Sequence, residues 1–171
     1  MPKSLADAKT KFTILTSEPA DPSKPTLTEL TAGINAEGYV LSSDFVFTAA
    51  ASDTVAEKEL DVAGNAQSLG NANHTCEFTP FRYYAEGAAT PDAAADVLFA
   101  AVKERGTELW CYARKGDKAG KEAWASGEEI YMGAHIVTDT PQQVDLTGWI
   151  KVKIVGLIQE AWDYITVATA P

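Results

Sequence analysis

The sequence predicts a mainly β protein of the α+β class, antiparallel strands with one helix packed against them. Three observations predict it. Runs of alternating, β-branched and aromatic residues recur from Thr26 to the end of the chain, punctuated by Gly, Asn and Pro. A single stretch, residues 91 to 105, carries apolar residues at helical spacing. The run Thr107 to Arg114 is apolar on both sides, Leu109, Cys111 and Ala113 alternating with Trp110 and Tyr112, which marks a central strand covered twice. With 171 residues, 46% of them apolar, the chain is long enough for one compact domain. At that size folding buries roughly 70% of the unfolded surface without help from disulfides or a metal.

Taken in order, residues 1–25 read as an extended N-terminal arm. A short apolar patch at Phe12, Ile14 and Leu15 precedes Pro19, Pro22 and Pro25, and prolines this dense join neither a helix nor a central strand. Residues 26–171 read as the single domain. Thr26 to Thr31 and Tyr39 to Thr48 have strand composition, with Gly33, Asn35 and Gly38 at turns.

Residues 49–73 include Asp53, Glu57, Glu59 and Asp61 and then a dense run of Gly and Asn. A connection of about 25 residues exceeds the roughly 12–15 at which structureless loops become uncommon, so it is functional, mobile or a concealed hairpin around Val55 to Val62. His74 to Tyr84 reads as a strand interrupted by Pro80.

The helix over 91–105 has Thr90 at its N-cap, Pro91 in its first position, a stripe of Ala94, Val97, Leu98, Ala101 and Val102, and Gly106 as its stop. After Thr107 to Arg114 comes the charged turn Lys115 to Lys121, then strands at about 128–138 and 144–158. In the second, Val144, Leu146, Ile150, Val152 and Ile154 share one face, and Asp145, Thr147, Lys151 and Lys153 the other. A last strand runs near Trp162 to Ala168.

Twenty-four acids against 14 bases give a net charge of −10, with a pI near 4.6. That balance argues against a sequence-reading DNA binder, because such affinity begins with Lys and Arg neutralising phosphates. The first twenty residues hold no apolar run of signal-peptide length, and no stretch approaches the roughly 20 residues that cross a bilayer. The expectation is a soluble protein made in the cytoplasm, with Cys76 and Cys111 reduced and buried in strands.

No catalytic signature survives comparison with a structural explanation. G-x-S-x-G, G-x-G-x-x-G and H-E-x-x-H are absent. Gly116 to Glu122 imitates a phosphate loop but has three residues between its glycines, not four, and Glu122 where Ser or Thr would bind magnesium. His74 and Cys76, with Cys111 or His135, lack the paired spacing of a structural zinc site. Glu128 and Glu129, adjacent on a strand, point to opposite faces and share no proton. No enzyme, cofactor or metal is expected. The aromatics Phe81, Tyr83, Tyr84, Trp110, Trp124, Trp149, Trp162 and Tyr164 leave open a carbohydrate-binding or adhesin module, although core and subunit contacts explain them equally well.

The run Gly64-Asn65-Ala66-Gln67, Gly70-Asn71-Ala72-Asn73 and Thr79-Pro80-Phe81-Arg82-Tyr83 resembles the tail tube (major tail) proteins of long-tailed, siphovirus-like bacteriophages. So do Leu30 to Asn35, Lys103 to Trp110 and the Arg114-Lys115-Gly116 turn, so the likeness covers residues 26 to 115 in order. It is closer than any likeness to type VI secretion tube proteins, which share the hexameric tube fold. The resemblance implies a β-sandwich of two packed antiparallel sheets flanked by one helix, assembled as stacked hexameric rings in the virion tail. It implies partners as well: further copies of itself, the tape measure, tail terminator and distal tail proteins, and DNA that traverses the lumen without specific binding. In such proteins a long loop or arm reaches a neighbouring subunit. Here the candidates are residues 49–73, with Asp53, Glu57, Glu59 and Asp61, and the arm 1–25, while Lys151 and Lys153 are candidates to meet those acids across a subunit boundary.

Overall fold

The structure, a computed structural model, describes residues 5–57, 60, 68–144 and 146–169. In chain order its elements are β1 (Thr10–Leu15), α1 (Leu27–Ala32), β2 (Ile34–Asn35), β3 (Val46–Ala50), β4 (Thr54–Val55), β5 (Ser68–Leu69) and β6 (Asn73–Phe78). There follow α2 (Val97–Val102), β7 (Glu108–Lys115), β8 (Glu129–Thr138), β9 (Gln142–Gln143) and β10 (Val152–Thr166). Short 3-10 turns at Ala36–Gly38 and Ser42–Asp44 lead into β3.

An eight-stranded antiparallel sheet runs in the order β2-β1-β7-β8-β10-β6-β3, with β9 beside β10, and a two-stranded sheet joins β4 to β5. The large sheet folds over on itself. Phe12 on β1 lies with its ring centroid 5.3 Å from Phe47 on β3 and 5.6 Å from Phe78 on β6, strands from opposite ends of the path. Tyr131 on β8 donates its hydroxyl to the Phe47 carbonyl across the same gap, at 2.5 Å. The result is the two-layered, mainly β architecture expected, made from one continuous sheet. β10 is its spine: it pairs with β8 over Gly156 to Thr166, with β6 at Ile154 to Gly156 and with β9 at Val152 and Lys153, and a register shift between Ile158 and Glu160 lets it bend.

The two faces of β7 fill two cores. Leu109, Cys111 and Ala113 join Phe12, Ile14, Phe47, Phe78 and Ile136 between the layers. Trp110 and Tyr112 join Leu15, Leu30, Trp124 and Val167 on the opposite side. The double coverage read from the sequence is therefore present, and the proline segment supplies part of it, the Tyr112 hydroxyl donating to the Pro22 carbonyl at 2.9 Å.

Five local expectations are corrected. Residues 10–15, placed in an arm, form β1 inside the sheet, because Phe12 and Ile14 are core residues. Thr26 to Thr31 is not a strand. Thr26 caps α1, its hydroxyl accepting the Glu29 N–H at 3.2 Å while the Glu29 carboxylate accepts the Thr26 N–H at 2.8 Å. Within Tyr39 to Thr48 only the last residues reach strand geometry, in β3.

The helix expected over 91–105 is confined to Val97–Val102. Asp96, 4% exposed, gives its carboxylate to Arg82 (2.9–3.2 Å) and to the Tyr83 N–H (3.1 Å), and Pro91 bridges to Tyr84, so residues 91–96 are tied in turns to the segment before them. Lastly, 144–158 is not one strand. The chain turns through Gly148 (φ +73°), which leaves Leu146 and Ile150 outside the core, and the strand expected near 162–168 belongs to β10.

Candidate assembly surfaces

Three surfaces are placed by these elements. The first is the edge of the large sheet. β3 ends the strand order, so one side of its backbone lacks a ladder partner in the described sheet. It continues into β4 and β5, which pair Thr54 with Leu69 and Val55 with Ser68. Within residues 49–73 the structure thus pairs Thr54 and Val55 with Leu69 and Ser68, while the hairpin expected around Val55 to Val62 falls largely outside the described residues, which omit 58, 59 and Asp61 to Gln67.

Asp53 is the root of the β4–β5 hairpin. Its N–H donates to the Asn71 carbonyl (2.9 Å), its carbonyl accepts the Gly70 N–H (2.7 Å), and its carboxylate accepts the Asn73 side-chain amide (3.0 Å). Glu57 is exposed beyond β4. The candidates Glu59 and Asp61 fall outside the described residues. Val55 and Leu69 present apolar side chains to solvent on this hairpin.

The second surface is the outward side of β10 and β6. Here Lys153 is matched within the chain, its Nζ donating to Glu77 at 2.6 Å with both side chains about one-third exposed. Farther along, β6 and β10 no longer pair beyond Gly156, and the His74 ring nitrogen meets the Asp163 carboxylate at 2.9 Å where the two strands part. Lys151 pairs across a bridge with Phe81 and donates to the Thr147 carbonyl at 3.2 Å.

The third surface does not follow from the alternation, which puts Leu146 and Ile150 on one strand face with Val152 and Ile154. Leu146, Trp149 and Ile150 are 100%, 82% and 59% exposed. Trp149 also lines a groove of about 530 Å³ with Gly38, Phe81, Arg82, Tyr83 and Tyr84. The Gly148 turn was the available signal.

Residues that imitated chemistry have structural partners. The false phosphate loop is clamped by Arg114, whose guanidinium donates to the carbonyls of Ala119 (2.8 Å), Glu122 (3.2 Å) and Ala123 (3.2 Å) and to Glu128 (2.8 Å). Burial pushes the Glu128 carboxyl up, but hydrogen bonds from Lys118, Arg114 and the Ala125 N–H outweigh it and hold its pKa below the usual value. Burial raises the Tyr131 hydroxyl to about 12, consistent with its role as a donor to Phe47. Trp110 and Trp124, counted among possible sugar platforms, are core residues, the Trp124 ring N–H donating to the Thr13 hydroxyl at 2.9 Å. His135 stacks on Trp110 with ring centroids 4.8 Å apart. No helix of the described residues is long and apolar enough to cross a membrane.

A folded-over antiparallel sheet that ends on an open strand, a hairpin rooted beyond that strand and an exposed aromatic turn define a structural β subunit with surfaces for other chains. The family model described as phage tail tube protein matches residues 1–171, and the chain belongs to that family, a structural component of the virion tail. No curated protein matches the chain.

Proposed function

We propose that copies of this chain associate side by side as hexameric rings, and that these rings stack into the tail tube through which DNA leaves the particle. The observation that carries the reading is the open edge of β3 leading directly into the β4–β5 hairpin. An unpaired strand edge is a template for another chain, and ring closure is one way to satisfy it. Asp53 and Glu57 on the hairpin offer negative charge to Lys151 and Lys153 of a neighbour, with Glu59 and Asp61 adding to it in sequence.

The acidity suits the same role. A ring of six carries −60, and whatever share faces the bore repels phosphate, so DNA slides without being held. The tape measure, tail terminator and distal tail proteins are the partners this placement implies at the interior and the two ends. Negative-stain microscopy of concentrated protein, alone and with tail initiation proteins, is expected to reveal sixfold rings or hollow tubes. Monomers under every such condition would overturn the proposal.

A further inference from the structure

The fold brings together two cysteines that are far apart in the chain. Cys76 stands on β6 and Cys111 on β7, strands that share no ladder, and both are buried free thiols in the core between the layers. Their neighbourhoods interlock from two sides. Cys76 is in register with Phe47 and Gly156, and Cys111 with Ile14 and Ala134, which makes Phe12 and Ile136 diagonal neighbours of Cys111. The Phe12 ring lies 5.3 Å from Phe47 and 5.6 Å from Phe78, the residues beside and two beyond Cys76. On the other side, a Cβ built on Gly156 would lie 2.7 Å from Ile136 Cδ1 and 3.0 Å from Cys76 Sγ, so those two atoms converge on one point. Gly156 and Ala134 have little or no side chain, and the volume they leave is available to sulfur. Burial pushes the Cys111 thiol well up, and the Cys76 thiol, its hydrogen-bond partner, pushes it further.

We infer that Cys76 and Cys111 are the two halves of a latent disulfide, which joins the two layers of the sheet when the chain meets a low-molecular-weight disulfide such as oxidised glutathione. The exchange runs in two steps. One cysteine, as its thiolate, attacks a sulfur of the oxidant, forms a mixed disulfide and expels one glutathione thiolate. The other cysteine, as its thiolate, then attacks the protein sulfur of that mixed disulfide and expels the second. The two thiol protons end on the departing glutathiones, so the protein dithiol is oxidised to one S–S bond and the oxidant is reduced to two thiols. Because both sulfurs lie inside, the exchange waits on opening of the core. Disulfides persist on virion surfaces and not in a reducing cytoplasm, so the subunit folds with free thiols and is stapled afterwards. The bridge needs one chain only and stands apart from the proposed assembly.

The test uses the full chain, dilute and reduced, with oxidised glutathione at neutral pH. The temperature is raised until a thiol reagent labels both cysteines in a parallel sample, which establishes that the core has opened. Intact mass is expected to show the loss of two hydrogens with no glutathione attached, and digestion without reductant should yield the peptides of Cys76 and Cys111 joined. Closing the loop should raise Tm by about 5–15 °C, and dithiothreitol should reverse the rise. Cys111→Ala should lose the rise and leave Cys76 carrying one glutathione, and Cys76→Ala should do the same for Cys111. Glutathione held separately on each cysteine of the unsubstituted chain, bridges only between chains, or no bridge in a sample whose thiols are both labelled would each overturn the inference. So would an oxidised form that melts at or below the reduced one, because the bridge would then not fit the native spacing of the layers.

Discussion

Replacing Glu128 with Gln tests how the long turn between β7 and β8 is held. The carboxylate accepts hydrogen bonds from Arg114 at 2.8 Å, Lys118 at 2.6 Å and the Ala125 N–H at 2.9 Å. Its main partner is the more deeply placed, the Arg114 side chain being 4% exposed and that of Glu128 19%. Removing one member of a fully buried pair costs about 3–5 kcal/mol. Glutamine keeps one oxygen for Arg114, and Glu128 is partly solvated, so the expected loss is about 2–3 kcal/mol. For a chain of this length that lowers Tm by about 4–12 °C. The pH dependence has a definite sign. The folded-state pKa is held below the ordinary carboxylate value, so as pH falls the unfolded chain takes up the proton first. The stabilisation is complete above the unfolded pKa of about 4.3 and is lost as pH falls through the folded value. Melts of dilute, unassembled protein at neutral pH and near about pH 3 should therefore show the gap between the two proteins closing in acid. A gap under about 1 kcal/mol at neutral pH, or one of equal size at both, would refute the reasoning.

Two further outcomes follow from the core. A Cβ at Gly156 would lie 2.7 Å from Ile136 Cδ1 and 3.0 Å from Cys76 Sγ, so Gly156→Ala should lower stability by about 1–3 kcal/mol in a denaturant titration, and an unchanged midpoint would contradict that packing. Cys76 and Cys111 lie between the layers, and burial pushes the Cys111 thiol well up; a thiol reagent at neutral pH should label both only as fast as the core opens, and rapid labelling of native protein would place at least one of them elsewhere.

Some of what the sequence reading missed was written in local signals that competed. Thr26 and Glu29 have the spacing of a capping box, but the β-branched residues around them argued for a strand, and only the burial of Leu30 under β1 and β7 decides for α1. Thr90, Pro91 and Gly106 punctuate a helix correctly by local rules, and Gly106 does adopt φ +86°. The first turn is nonetheless lost, because Asp96 is committed to Arg82 and Tyr83, a contact that sequence separation conceals. Leu146 and Ile150 keep strand phase with Val152, and nothing in that alternation reveals that the chain turns at Gly148. Asp53 was visible as an acid in an unusual loop, but not its place at the hairpin root.

By itself the sequence determined the strand-rich composition, the double coverage of β7, the reserve of negative charge and the likeness to tail tube proteins, because each is a property of residues close together in the chain or of the whole count. Only the tertiary structure decided that Phe12 meets Phe47 and Phe78, that the proline segment closes over Tyr112, and that Trp149 faces solvent. The physical reason is that a period of two records which side of a strand a residue occupies, and not which strand, if any, comes to cover it. That choice belongs to the long-range pairing of β10 with β8, β6 and β9, which folds one sheet into two layers and leaves the aromatic turn outside them.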